Sequence, residues 1–305
     1  MVRLSLFFLI FISVSAWAQF SREYLDKQPL EATPANEISM SYLSLGDSEQ
    51  PAIVMIMGLG ASHVVWGDAV VQGLEASGYR VVLLDNRDTG GSTRFDDWGQ
   101  PTVWWQLLKR QLGFDVDAPY TLNDMAADTV AVMDALDINN AHIVGASMGG
   151  MIAQVVAAQY PQRTRSLVSI MSTTGAPELP PPSAEASDSL LGVSTDDGAV
   201  AERREAMVAR GFYPQSMGRQ MMAIFSAGDR SDAVATITAP TLVVHGAKDT
   251  LLPPAHGAHT AQLISGSEFV VYDSMGHNIP DDVLQNLLQK MTLHMQAADA
   301  VATAP

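Results

Sequence analysis

Apolar and polar positions change period repeatedly along this chain, and the changes predict its elements. Ile38 to Leu45 alternates, the period of a strand with one wet face, and reads as an antiparallel edge strand. Ala52 to Met57 is apolar without a break, as a strand buried on both faces must be, and Arg80 to Asp85 is its next copy. Between them, residues 67 to 77 read as a helix. The alternation then continues with a helix at 122 to 138, a strand at 141 to 146, a helix at 148 to 159 and a strand at 167 to 172. Late in the chain come a strand at 241 to 246, a helix at 255 to 264, a strand at 268 to 273 and a helix from about 281. Repeated strand–helix units predict an α/β fold: a mostly parallel, doubly wound sheet with helices on both faces. Thr121 and Asp124 form a capping-box pair at the start of the 122–138 helix, whose Met125, Thr129, Val132 and Leu136 recur at core spacing.

Four stretches stand outside this rhythm. Residues 19 to 36 are polar with Pro29 and Pro34 and are expected to run over the surface. Residues 93 to 120 are long for a loop and carry Trp98, Trp104 and Trp105 beside Lys109 and Arg110. They either line the mouth of a pocket, make weak contact with a lipid interface, or tuck the tryptophans under neighbouring helices. Residues 175 to 238 open on Pro177 and Pro180-Pro181-Pro182 and continue into helix-like stretches near 198–211 and 215–227. An insertion of that length without structure is improbable, so a small helical cap is expected between two late strands. The alanine-rich tail from Ala297 is expected to fray.

Composition narrows the possible partners. At 47% hydrophobic residues and a mean hydropathy of +0.10, the 305-residue chain has material for a full core. A net charge of −16 offers no basic stripe to a phosphate backbone and excludes nucleic acid as partner. With no cysteine, there is no disulfide, thiolate metal site or cysteine nucleophile. Arg3, the apolar run Leu4 to Val14 and Ala16-Trp17-Ala18 read as a signal peptide over 1–18, implying a periplasmic or secreted protein.

Candidate chemistry gathers where strands end. Gly145-Ala146-Ser147-Met148-Gly149 lies between a strand and a helix, the setting in which Gly-x-Ser-x-Gly exposes a nucleophile on a strained turn. Glycines flank it because the turn is too tight for side chains. The strand at 241–246 leads to Asp249 and the strand at 268–273 to His277. Both therefore lie at the carboxyl edge, where open α/β sheets place their sites. Asp273 is a rival acid, one turn from His277. His256 and His259 sit three apart on a helix without an acidic partner motif and read as a solvated face rather than a metal site. His63 either lines the pocket or packs; His142 and His245 read as core or strand-end residues. Nothing in the pattern calls for a cofactor or a metal.

The order Ser147, Asp249, His277 is that of α/β-hydrolases, and the chain resembles that family over nearly all of its mature length. Gly145-Ala146-Ser147-Met148-Gly149-Gly150 is similar to the family's nucleophile elbow. Asp85-Asn86-Arg87-Asp88-Thr89-Gly90-Gly91-Ser92 is similar to a segment found in many members. Asn86-Arg87-Asp88-Thr89-Gly90 more narrowly resembles the branch containing aclacinomycin methylesterase. Where many relatives carry His-Gly, this chain has Met57-Gly58, which removes a side chain but no main-chain donor. The resemblance implies a hydrolase core at 19–174 and 239–305 with a cap at 175–238. It implies a Ser147–His277–Asp249 triad, and oxyanion donors at the N–H groups of Leu59 and Met148. The leading activity is hydrolysis of small or medium carboxylic esters, including methyl esters, lactones or thioesters, through an acyl-enzyme. Carbon–carbon bond hydrolysis with the same triad, a cofactor-free haloperoxidase-like side activity and a triad-bearing receptor with little turnover are the alternatives.

Overall fold

A computed structural model describes residues 21–191 and 197–302; the signal segment expected at 1–18 lies outside them. In chain order the strands and helices begin with β1 (Glu31–Ala35), β2 (Ile38–Leu45), β3 (Ala52–Ile56), α1 (Asp68–Ala76) and β4 (Arg80–Leu84). Next come α2 (Val103–Gln111), α3 (Leu122–Ala135), β5 (Ala141–Ala146), α4 (Met148–Gln159) and β6 (Thr164–Ile170). Four helices follow: α5 (Ala184–Leu191), α6 (Asp197–Ala209), α7 (Pro214–Ala227) and α8 (Ser231–Ala235). The chain closes with β7 (Thr241–Gly246), α9 (Ala255–Leu263), β8 (Glu268–Tyr272) and α10 (Asp281–Ala302).

The strands form one eight-stranded sheet in the order β1-β2-β4-β3-β5-β6-β7-β8. β1 pairs antiparallel with β2 and β2 with β4, while β3 through β8 are all parallel. β3 is buried throughout, and its side chains divide with the period of two that a pleat imposes. Val54 and Ile56 join the apolar layer beneath α3 and α4, with Met125 and Ile152. Ile53 and Met55 join the opposite layer under α1 and α10, with Leu74 and Leu287.

Several sequence expectations need correction. Residues 21–36 are not merely a surface strap: Leu25 is buried and Glu31–Ala35 pairs with β2. β2 is therefore antiparallel but interior, since β1 takes the edge. Residues 93–120 contain the helix α2, and of the three alternatives for their tryptophans burial beneath neighbours is set aside: Trp98, Trp104 and Trp105 are 41%, 67% and 48% exposed. α3 stops at Ala135 because Asp137 turns left-handed, with φ 55°. The Ile138 N–H then returns to the Met133 carbonyl at 2.8 Å and the Asp137 N–H to Asp134 at 3.2 Å, a Schellman closure. β6 starts at Thr164 and ends at Ile170, shifted toward the N-terminus, because Met171 adopts φ 41° and leaves the strand. The tail remains helical to Ala302, anchored where Arg165 meets Asp299 at 2.9 Å.

Candidate active site

β5 and α4 meet at Ser147, whose φ of 56° and ψ of −121° place a non-glycine residue in costly backbone territory. Such geometry costs on the order of 1–3 kcal/mol and persists only where the surroundings impose it. Here they do so by close approach. A Cβ on Gly145 would stand 2.1 Å from the Gly149 carbonyl oxygen, and one on Gly149 would stand 2.0 Å from that of Ile56. The Ser147 N–H donates to the Ile170 carbonyl at 2.9 Å, and the Ser172 hydroxyl donates to the Ser147 carbonyl at 2.9 Å.

His277, in the turn between β8 and α10, presents Nε2 2.9 Å from the Ser147 hydroxyl oxygen. Its Nδ1 lies 2.8 Å from Oδ2 of Asp249, just past β7. An ionised carboxylate only accepts, so Nδ1 carries the proton and Nε2 of the neutral ring is free to accept from Ser147. Three residues, 147, 249 and 277, thus form a continuous line at the carboxyl ends of β5, β7 and β8. Asp273, by contrast, is exposed. The other oxygen of Asp249 accepts the N–H groups of Leu251 at 3.0 Å and Leu252 at 2.9 Å. Burial by itself raises the Asp249 pKa. Hydrogen bonds from His245 and His277 and from the main chain outweigh that effect and hold this carboxyl well below the usual carboxylate range.

On the opposite side of Ser147 runs the loop after β3. The Cβ position of Gly58 lies 3.0 Å from the Ser147 Cβ, so only glycine lets this loop approach the hydroxyl so closely. Leu59 follows Gly58 and Met148 follows Ser147 in the chain, each with a main-chain N–H. Among the described residues neither has a hydrogen-bond acceptor.

A family model described as alpha/beta hydrolase fold matches residues 51–198. Rhodomycin D methylesterase of a Streptomyces species is 26% identical over 313 residues, covering 88% of this chain and 99% of its own. A 2-hydroxy-6-oxononadienedioate/2-hydroxy-6-oxononatrienedioate hydrolase of Cupriavidus pinatubonensis is 28% identical over 252 residues, covering 74% of this chain and 80% of its own. Among solved structures, the meta-cleavage product hydrolase of Pseudomonas fluorescens aligns with a TM-score of 0.67 at 20% identity, over 88% of this chain and 98% of that one. The chain has the α/β-hydrolase fold.

Around the site, the chain uses side chains whose pairing the sequence did not reveal. His63 packs rather than standing free: its Nδ1 and its main-chain N–H both lie 2.8 Å from Oδ1 of the fully buried Asp85. His245 places Nε2 2.7 Å from the Leu252 carbonyl and 3.4 Å from Asp249. His256 is not on a solvated face. It is buried, with Nδ1 2.7 Å from the Thr173 hydroxyl and Nε2 2.9 Å from the Pro180 carbonyl, because α9 packs that face beneath the segment leading to α5. His259 bonds Thr174 at 2.9 Å. Among the described residues no group of three or more His, Cys, Asp or Glu is arranged to hold a metal, and no helix is long and apolar enough to cross a membrane.

The depressed pKa of Asp249 makes a testable statement about stability. A carboxyl whose folded pKa lies below its unfolded value stabilises the fold above about pH 4, and that contribution is lost as pH falls further, toward the folded pKa. The stability difference between the native chain and Asp249→Asn should be constant from pH 7 to about pH 5, then shrink steadily on acidification. Urea unfolding of both proteins at stepped pH measures it; a difference that grew on acidification would assign Asp249 the opposite shift.

Proposed function

We propose that this α/β-hydrolase cleaves carboxylic esters by way of an acyl-enzyme on Ser147. The observation that carries the reading is the unbroken line from the Ser147 hydroxyl through His277 to Asp249, at 2.9 and 2.8 Å. As Ser147 Oγ attacks the ester carbonyl, His277 Nε2 takes its proton, and Asp249 stabilises the resulting imidazolium. The carbonyl oxygen becomes an oxyanion held by the N–H groups of Leu59 and Met148, the second also at the positive end of α4. Collapse of this intermediate breaks the bond to the alkoxy oxygen, and His277 returns the proton to the departing alcohol. Water, deprotonated by the same imidazole, then attacks the acyl group; the bond from the acyl carbon to Ser147 Oγ breaks as His277 returns that proton to Oγ, and the carboxylic acid leaves.

The kinship with a methylesterase favours esters of small alcohols. That with a hydrolase of an oxo-dienedioate favours a second reading, carbon–carbon cleavage with the same three residues. A panel of methyl, butyl and p-nitrophenyl esters of graded acyl length, run beside a vinylogous 1,5-diketone acid, separates the two. Turnover of the esters at least about a hundredfold above the diketone, in kcat/KM, supports the first. The reverse ratio selects the second.

We further propose that the α2 segment rests on an anionic lipid surface. Trp98, Trp104, Trp105, Leu107, Leu112 and Phe114 are all exposed. Residues 98–114 hold Lys109 and Arg110 but no acidic residue, in a chain of net charge −16. Aromatic rings with basic neighbours on a short helix match the region between headgroups and acyl chains. Lys109 reaches Asp117 at 2.9 Å, so Arg110 supplies most of the attraction. Vesicles of phosphatidylglycerol and phosphatidylcholine should blue-shift tryptophan emission, and Trp104→Ala should weaken partitioning about tenfold, one interfacial tryptophan being worth roughly 1.4 kcal/mol. Vesicles that leave the spectrum unchanged would overturn the proposal, as would a concentration-dependent dimer that covers the same face.

A further inference from the structure

The loop that carries Leu59 is held in place by the helices inserted between β6 and β7, not only by the sheet. The Ser62 N–H donates to the Gly211 carbonyl at 3.0 Å, and the Tyr213 N–H donates to the Gly60 carbonyl at 2.7 Å. Ala61 and Phe212 form an antiparallel bridge between those two bonds. A side chain from α7 completes the clamp: Gln220 accepts the Gly60 N–H at Oε1, 2.7 Å, and donates from Nε2 to the Arg87 carbonyl at 3.0 Å. Its amide orientation is fixed by its partners, because an N–H can only donate and a carbonyl can only accept. Gln220 is fully buried.

The remaining links close a ring. Asn86, next to Arg87, donates from Nδ2 to the Met57 carbonyl at 2.7 Å. The main chain is therefore fastened at Met57 and at Gly60, on either side of Leu59, and the two fastenings meet at Gln220, directly from Gly60 and by way of Asn86–Arg87 from Met57. Gly60 itself has φ 68°, and a Cβ there would stand 2.7 Å from Met217 Cγ on the same helix. Arg219, the preceding residue, fixes α7 independently through Asp88 at 2.6 and 2.8 Å.

We propose that Gln220 is a positioning residue for the anion site: it holds the Leu59–Gly60 peptide so that the Leu59 N–H meets the developing oxyanion. This rests on the acyl-enzyme reading above. A donor aimed at the oxyanion acts only on the transition state, so its displacement lowers kcat and spares KM. Gln220→Leu keeps the volume and removes both hydrogen bonds; with p-nitrophenyl butyrate it should lower kcat about 10- to 100-fold with KM changed less than about threefold. An alkyl trifluoromethyl ketone, which places a tetrahedral oxyanion on Ser147, should lose affinity by the same factor as kcat. A merely structural role would not make those two losses match.

Ser147→Ala is assayed in parallel. If it retains turnover, the acyl-enzyme reading fails. If it is inactive while folded Gln220→Leu keeps native kcat and native affinity for the ketone, only the positioning role fails. A loss confined to KM overturns that role too. Should Gln220→Leu not fold, Gln220→Met, with a flexible side chain of similar length and no amide, is read by the same criteria.

Discussion

Ser147→Ala is expected to lower kcat on a p-nitrophenyl ester by about 10⁴- to 10⁶-fold, with His277→Ala losing about as much and the double variant little more. In the proposed mechanism the three groups act as one unit: an imidazole without a hydroxyl to deprotonate contributes as little as a hydroxyl without a base. Asp249→Asn should cost about 10⁴-fold, because an amide can donate to Nδ1 and so favours the wrong tautomer. A fluorophosphonate should label the native protein once, at Ser147, as mapped by mass spectrometry. Labelling elsewhere, or additive losses in the double variant, would leave the proposed chemistry without its nucleophile. Since Ser147 holds φ 56° against its own preference, Ser147→Gly should be at least as stable as the native protein while equally inactive. Thermal unfolding of the two variants would show whether the strain at the elbow is relieved by removing the side chain.

The second large effect concerns the helices inserted between β6 and β7. Arg219→Met should destabilise the protein by about 3–5 kcal/mol, since it leaves the carboxylate of Asp88 buried without its charge partner. Arg219 and Asp88 are both buried and meet through two bonds, at 2.6 and 2.8 Å. Tyr120 donates its hydroxyl to the same carboxylate at 2.8 Å, and burial next to Asp88 pushes that phenol far above its ordinary range. A second buried pair stands beside it: Arg87 holds Asp128 at 2.6 and 2.8 Å, with its guanidinium over the Phe95 and Tyr120 rings. Replacing Arg219 and Asp88 together by apolar residues of similar volume should recover much of the loss, because neither charge is then stranded. Urea unfolding measures both variants. A loss below about 1 kcal/mol for Arg219→Met would mean that solvent reaches Asp88 when its partner is gone.

These pairs give physical content to Asn86-Arg87-Asp88-Thr89-Gly90. Asn86 ties the segment to the end of β3, Arg87 to α3, Asp88 to α7, and Thr89 back to the Asn86 carbonyl at 2.8 Å. A Cβ at Gly90 would fall 2.0 Å from Oδ2 of Asp85, which leaves room for glycine alone. The segment is thus a junction between the sheet, one of its helices and the inserted helices, and its residue types follow from what each must reach.

Local pattern was enough for the parallel sheet, the helix start at Thr121, the elbow at Ser147 and the placing of Asp249 and His277 past strand ends. Those features depend on hydrophobic period, capping and turn sterics, which act between residues close in sequence. What period could not convey was pairing across distance. β1 is short and partly polar, and becomes a strand only because β2 offers it an edge. The sequence left the exposure of the α2 tryptophans open and read the buried imidazole of His256 as solvated, since exposure depends on which helix packs above. Gln220 carried no signal at all: a glutamine on an amphipathic helix is ordinarily solvated, and only the folded chain brings it, 160 residues from Gly60, to an otherwise unsatisfied N–H.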